Sequence, residues 1–391
     1  MLMERAGIDA WVLAAREYNE DPVVETMLPA DWLSARRRTV LLFLDGGRRR
    51  LAVTRYAVGD GFDAAWEPEV QPDQWARVAE LLSEVAPATI AVNRSSTFAL
   101  ADGMSASEYE AFLAPLPIEL QALVVPAESL AIGWLETRVP AELDAYRDAC
   151  AIAHDVLRRG LSREAVTPGN TTTADLEWWY RQRVHDLGLG SWFQPTVSVQ
   201  RIGGLPRTSF AAHPPPTTLD PGDLVHVDFG IEYLGLHTDM QEMAYLGLPG
   251  ETAPPQGLAA GFAAGMRLQD LVMGSMGSGR TGNEVLEEAL RRARSEGLKP
   301  SVYSHPIGLH GHAAGPTIGL WDQQDGVPGA GDYPVYPNTA YSIECNVRFE
   351  VPEWDGREVS FMLEEDAWFD GKRVEFLDGR QTSLWFLPPG S

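Results

Sequence analysis

The sequence predicts two domains, a small α/β domain followed by a larger α+β domain. Three observations predict this. The chain has 391 residues, more than one hydrophobic core usually organises. Its first part alternates short β-rich runs with helical ones. Its second part groups helices apart from short alternating strands joined by tight turns.

Taken in order, "DAWVLAA", "TVLLFLDG", "RLAVTRY" and "TIAVN" read as strands of the first domain. "PDQWARVAELLSEVA" between them has apolar positions at helical spacing. The start, "MLMERAGIDAWVLAAREYNE", is expected to lead into the first strand and not to be a signal peptide. The first domain is placed at residues 1–130, and "VVPAESLAIGWLETRVP" is read as the connection to a second domain at 136–391. Pro140 suits the first position of a long helix over 140–160. "TTTADLEWWYRQRVHDLG" is a second helix, with Thr173 as its expected cap. Strands are expected around 196–200 and 223–246. Helices follow near 256–275 and 282–296, the latter opened by the capping-box pattern "TGNE". The chain closes with strands holding "VYSHPIGLHGH", "AYSIECNVRFE", "VSFMLEEDAWF" and "VEFL".

Composition narrows the function. Lys and Arg total 31 against 55 Asp and Glu, a formal charge of −24. That argues against nucleic acid or an anionic membrane as partner, because both reward basic surface. No run approaches the roughly 18 apolar residues a membrane helix needs. Two cysteines, Cys150 and Cys345, exclude a disulfide scaffold and fit a cytoplasmic protein. H-E-x-x-H, Walker A and G-x-S-x-G signatures are all missing.

The stretch "HVDFGIEYLGLHTDMQ" sets two aspartates, Asp228 and Asp239, in apolar strand-like sequence on either side of a glycine-bearing turn. Carboxylates cost free energy when buried without a partner. On antiparallel strands the two could approach each other, and a divalent cation, or two bridged by carboxylates, removes the repulsion. The plainer reading is one turn-capping and one surface aspartate. Glu344 in "AYSIECNV", Glu364 in "VSFMLEEDAWF" and His305 in "VYSHPIG" share the same strand-end context. Together they offer four carboxylates and one imidazole, a set suited to Mn²⁺, Co²⁺, Fe²⁺ or Zn²⁺. Cys345 follows Glu344 directly, so strand alternation points it to the opposite face.

The order and spacing of Asp228, Asp239, "HPIGLHGH", "SIE" and "LEED" resemble the M24 metallopeptidases of the creatinase or pita-bread fold, over about 136–391. The domain in front resembles the N-terminal domain of the creatinase and proline-specific branch, which includes Xaa-Pro aminopeptidase and Xaa-Pro dipeptidase (prolidase). The resemblance implies two divalent metal ions, Mn²⁺ first among the choices. It implies Asp228 on one metal, Asp239 and Glu364 bridging both, and His305 and Glu344 on the other, with Glu365 competing for the place of Glu364. It implies Glu344 as proton acceptor and His213 and His312 as substrate-contacting histidines. The substrates would be short proline-containing peptides, and the assembly a homodimer. Arg201, Arg207, Arg348 and Arg373 are candidates for a substrate carboxylate.

The chain departs from the family pattern at three places. Gln241 and Glu242 follow the bridging aspartate where a basic residue is common. Met362 stands two positions before Glu364 where arginine is usual, and Cys345–Asn346 replaces a Pro-Gly pair. Two rival readings follow: a creatinase-like or degenerate non-peptidase, and a binding protein of the same fold. The filled ligand positions weigh against both.

Overall fold

A computed structural model describes residues 1–204 and 215–389. The chain divides into two compact units, Met1–Leu135 and Glu136–Ser391.

The first unit is built on a six-stranded sheet of β1 (Ala10–Arg16), β2 (Arg38–Leu44), β3 (Arg49–Val53), β4 (Asp63–Ala64), β5 (Ile90–Val92) and β6 (Val124–Pro126). The strand order is β4-β3-β2-β1-β5-β6. β1 runs antiparallel to β2 and parallel to β5, so the sheet is mixed. The expected Gln74–Val85 helix buries Trp75, Val78, Leu81 and Leu82 in the core against Val12, Val40 and Ile90. A helix over Ala106–Leu113, unforeseen in the sequence, adds Phe112 to that core. The stretch read as a connection also forms a helix, Glu128–Glu136. Leu130, Ala131 and Leu135 recur at helical spacing and are buried, which is why this stretch does not stay extended. Asp21 caps a short turn of helix by accepting from the backbone N–H of Val23 at 2.8 Å and of Val24 at 3.3 Å.

The second unit opens with the Pro140–Gly160 helix, where Pro140 takes the first position as expected. The next helix, Thr173–Asp186, is capped one residue earlier than expected. Thr172 Oγ1 accepts from the Asp175 N–H while Asp175 accepts from the Thr172 N–H, and Thr173 is left to accept from Thr217 N. Thr281 and Glu284 form the anticipated reciprocal cap of the Gly282–Ser295 helix.

The strands that follow position the site. β7 (Thr196–Gln200), β8 (Leu224–Phe229) and β11 (Met240–Leu246) form one sheet, edged by β19 (Trp385–Leu387). β9 (Glu232–Tyr233) and β10 (Leu236–His237) make a small hairpin between β8 and β11. Its turn holds both Leu234 and Gly235 at positive φ, 53° and 75°. Two further sheets contain β12 (Lys299–Val302), β15 (Cys345–Val351) and β16 (Arg357–Leu363), and β13 (His305–Ile307), β14 (Thr339–Ser342), β17 (Asp366–Phe369) and β18 (Val374–Phe376). The antiparallel register that pairs Ser342 with Asp366 is the one that pairs Cys345 with Leu363. The register joining His305 to Ser342 likewise continues as Val302 to Cys345. The two sheets are therefore halves of one bent sheet, creased at 303–304, 343–344 and 364–365. Phe361 and Leu363 run into that crease. They fit because Gly261 and Gly265 of the Gln256–Met273 helix lack side chains, and a Cβ on Gly261 would fall 2.1 Å from the Phe361 ring.

Candidate metal centre

The crease collects carboxylates. In the continued register Glu344 stands opposite Glu364, an arrangement that repels unless something compensates it. His305 opens β13 beside them, and its Nε2 lies 3.4 Å from Glu364 Oε1 and 3.6 Å from Asp239 Oδ2. β11 joins the crease by a bridge between Gln241 and Glu364, with the Gln241 N–H donating to Glu364 O at 3.1 Å. Asp228 pairs across the hairpin with Gln241, so Asp239 lies diagonal to Asp228 and not opposite it. Ligand atoms of Asp228, Asp239 and Glu364 nevertheless all lie within 4.8 Å of one another, and so do those of His305, Glu344 and Glu364. The five residues singled out in the sequence are thus gathered in one place. Glu365 is not among them: it turns to the other side, towards His154.

The electrostatics of the cluster favour a cation. Burial, and then the Glu364 charge, raise Asp239 to about 7 and push Glu344 well above the usual carboxylate range. Asp239 Oδ1 and His305 Nε2 are buried without a hydrogen-bond partner among the described residues. His305 Nδ1 sits 3.0 Å from the Pro306 carbonyl, which orients the ring with Nε2 towards the carboxylates; burial opposes a charge there, but Asp239 and Glu364 raise the imidazole well above its ordinary pKa. Hard carboxylate oxygens, one imidazole and buried unmatched acceptors fit divalent metal ions.

In the sequence Gln241 stands out only as a departure from the family pattern. Its amide Nε2 donates to Glu344 Oε1 at 2.5 Å and to Glu364 Oε2 at 2.6 Å. Its Oε1 lies 2.8 Å from His226 Nε2, and His226 Nδ1 lies 3.3 Å from Ser198 Oγ. Ser342 Oγ donates to Glu364 Oε1 at 2.6 Å. Of the expected histidines, His312 stands beside the cluster, its ring 4.7 Å from that of His305 and 5.1 Å from Trp192. Burial and the neighbouring His305 hold His312 below its ordinary pKa, so its imidazole is neutral at neutral pH. His213 and Arg207 lie outside the described residues. Arg201 is engaged by Asp220 and Asp223, Arg348 by Glu358, and Arg373 is exposed near Glu375. Trp192 escaped the sequence reading. It donates from Nε1 to Thr238 O at 2.9 Å, and its ring packs where a side chain on Gly311 would sit. The only sequence signal for it was an aromatic pair, Trp192–Phe193, in a loop.

A bent sheet that gathers such donors has the side chains with which metal-dependent hydrolases hold their ions. Residues 144–375 match the model of Metallopeptidase family M24, more than half of the sequence, and the chain belongs to that family. No curated protein sequence matches it. Among solved structures it is similar to an X-Pro aminopeptidase from Thermotoga maritima MSB8, with 17% identity, TM-score 0.65, and coverage of 98% of this chain and 99% of that one. It is also similar to dipeptidase PepE from Mycobacterium ulcerans, with 21% identity, TM-score 0.65 and coverage of 99% and 95%. A third is an Xaa-Pro dipeptidase from Bacillus anthracis, with 18% identity, TM-score 0.64 and coverage of 99% and 98%. At these identities the likeness is one of fold, the pita-bread fold, and it extends over both units. The protein is therefore a metallopeptidase with a pita-bread catalytic fold. Among the described residues no helix is long and apolar enough to cross a membrane.

Proposed function

We propose that this metallopeptidase holds two divalent ions, Mn²⁺ by preference, and hydrolyses the peptide bond next to proline in short peptides. The reading of the N-terminal unit, with residues 1–130 as a creatinase-type domain and 136–391 as the catalytic one, belongs to the same proposal, as do a homodimer and a cytoplasmic setting. The observation that carries the reading is the crease, where Glu344 faces Glu364 and the buried Asp239 Oδ1 and His305 Nε2 lack hydrogen-bond partners among the described residues. Relatives of the same fold, an X-Pro aminopeptidase and an Xaa-Pro dipeptidase, support the proline preference.

Asp228, Asp239, His305, Glu344 and Glu364 would hold the ions. When bound, such a pair supplies Lewis acidity that lowers the pKa of water and polarises the scissile carbonyl. The remaining work falls to side chains. Gln241 occupies Glu344 Oε1, which leaves Oε2 to take the proton of the attacking water. The neutral His312 imidazole, at the exposed rim, donates to the developing oxyanion, and Trp192 holds that histidine's ring edge-on. By the family resemblance His213 would share with His312 in stabilising the tetrahedral intermediate and protonating the departing nitrogen. A proline nitrogen carries no N–H in the peptide bond, so its recognition rests on shape and apolar contact.

The test is mass spectrometry of Xaa-Pro, Xaa-Pro-Yaa and longer peptides incubated with Mn²⁺-loaded protein. Cleavage next to proline is expected, abolished in Asp239→Ala together with the metal held in the crease. Peptides left intact by the loaded protein would point instead to a creatinase-like hydrolase. The products show which end of the peptide is read.

A further inference from the structure

β11 is buried on both faces. Gln241 faces the crease, and the next residue, Glu242, faces away from it towards a separate group of ionisable side chains. His154 reaches that group from the Pro140–Gly160 helix, and Glu365 reaches it from the far side of the 364–365 step. His154 Nε2 lies 2.9 Å from Glu365 Oε2 and 3.9 Å from Glu242 Oε1. Ligand atoms of the three residues all lie within 4.8 Å of one another.

Two observations separate this group from an ordinary ion-pair network. First, Glu242 is 1% exposed and its Oε2 has no hydrogen-bond partner among the described residues. An ionised Glu242 buries a charge with no closer cationic partner than a ring nitrogen at 3.9 Å, and a protonated one buries an unmatched hydroxyl. Second, His154 Nδ1 lies 2.9 Å from Asp378 Oδ2, so its other nitrogen is already steered by a carboxylate. A carboxylate on one imidazole nitrogen, with the other nitrogen turned into a group of oxygens, is an arrangement that orients a histidine to bind a metal once its proton is displaced. Glu365 is anchored as well, since its Oε1 accepts from Gln381 N at 2.9 Å. Burial opposes a charged His154, but hydrogen bonds to Glu365 and Asp378 and the Glu242 charge raise it to about 10. In the metal-free chain protons stand where a cation would, since burial and then the Glu365 charge also push Glu242 well above the usual carboxylate range. His154 is 14% exposed and Asp378 40%, which gives an ion a route from solvent.

We propose that His154, Glu242 and Glu365 form a further divalent-metal site, set behind β11 from the crease and oriented by Asp378. One imidazole and two carboxylates suit Mn²⁺ or Zn²⁺. The ion would tie the Pro140–Gly160 helix to β11 and to the start of β17. This site stands whether or not the crease proves dinuclear.

The test is metal content per folded chain by mass spectrometry after loading with Mn²⁺, and separately with Zn²⁺. Glu242→Gln is expected to hold one equivalent fewer than wild type. Asp239→Ala should keep the equivalent that Glu242→Gln loses, which separates this site from the crease. Equal content in wild type and folded Glu242→Gln overturns the proposal. Should that variant fail to fold, crystals of the wild-type protein in millimolar Mn²⁺ decide the matter. An anomalous peak between His154 Nε2 and Glu242 supports the site, and peaks confined to the crease overturn it.

Discussion

Gln241 shows how one side chain can set the character of a metal centre without being a ligand. Its amide hydrogens hold Glu344 and Glu364 at 2.5 and 2.6 Å, so the two opposed carboxylates share one neutral donor. Gln241→Leu leaves them facing each other unbridged, and groups that orient ligands typically govern 10- to 100-fold in metal affinity. Isothermal titration with Mn²⁺ should register a loss of about that size, and unchanged affinity would deny Gln241 this role. His312 makes a different prediction. It stands beside His305 and is proposed to contact substrate, so His312→Ala should lower turnover by roughly 10²-fold while bound metal stays constant. The ligand types were legible because aspartate, glutamate and histidine in apolar strands are conspicuous. Gln241 and Trp192 were not, since an amide or an indole signals nothing until its neighbours are known.

Among the elements, the β9–β10 turn carries a local conflict. A two-residue hairpin turn with both φ angles positive favours Asn-Gly, yet Leu234 occupies the first position and is exposed. Left-handed backbone costs a non-glycine residue about 1 kcal/mol, less for asparagine. Leu234→Asn should therefore stabilise the protein by roughly 0.5–1 kcal/mol in chemical denaturation, and a destabilised variant would show that the leucine side chain has contacts worth more. The Asp21 cap predicts a pH dependence. Burial raises this carboxyl to about 6 despite the hydrogen bonds from Asn93, Val23 and Val24. A carboxyl with a raised folded pKa contributes most below its unfolded value near 3.8, and the contribution is lost as pH rises through about 6. The first unit should weaken across that window by about 2–3 kcal/mol from this group, and Asp21→Asn should flatten the slope. Helices were read well wherever caps or amphipathic spacing were strong, as at Pro140 and Thr281. The Glu128–Glu136 helix was missed because a proline before it and alternating small residues resemble a linker.

For the whole molecule, the order α/β then α+β was visible from periodicity alone. The bend that makes the site was not: it depends on three strands breaking at the same level, and no local pattern announces a break at 303, 343 and 364 together. The crease also has a mechanical consequence. Few backbone bonds cross the crease, among them Ile343 N to Glu365 O at 2.9 Å and Tyr303 N to Glu344 O at 3.2 Å, and sparsely bonded backbone exchanges most readily with solvent. Ions seated between Glu344 and Glu364 would add side-chain cross-links there, joining two half-sheets that otherwise hinge. Chelation should thus lower the melting temperature, with restored Mn²⁺ at a hundredfold excess over Kd recovering roughly 5–10 °C. Deuterium uptake should rise first in the segments on either side of the crease, and uniform uptake along the chain would refute the hinge. The metal, on this view, reports the breathing of the sheet as much as the chemistry of the peptide.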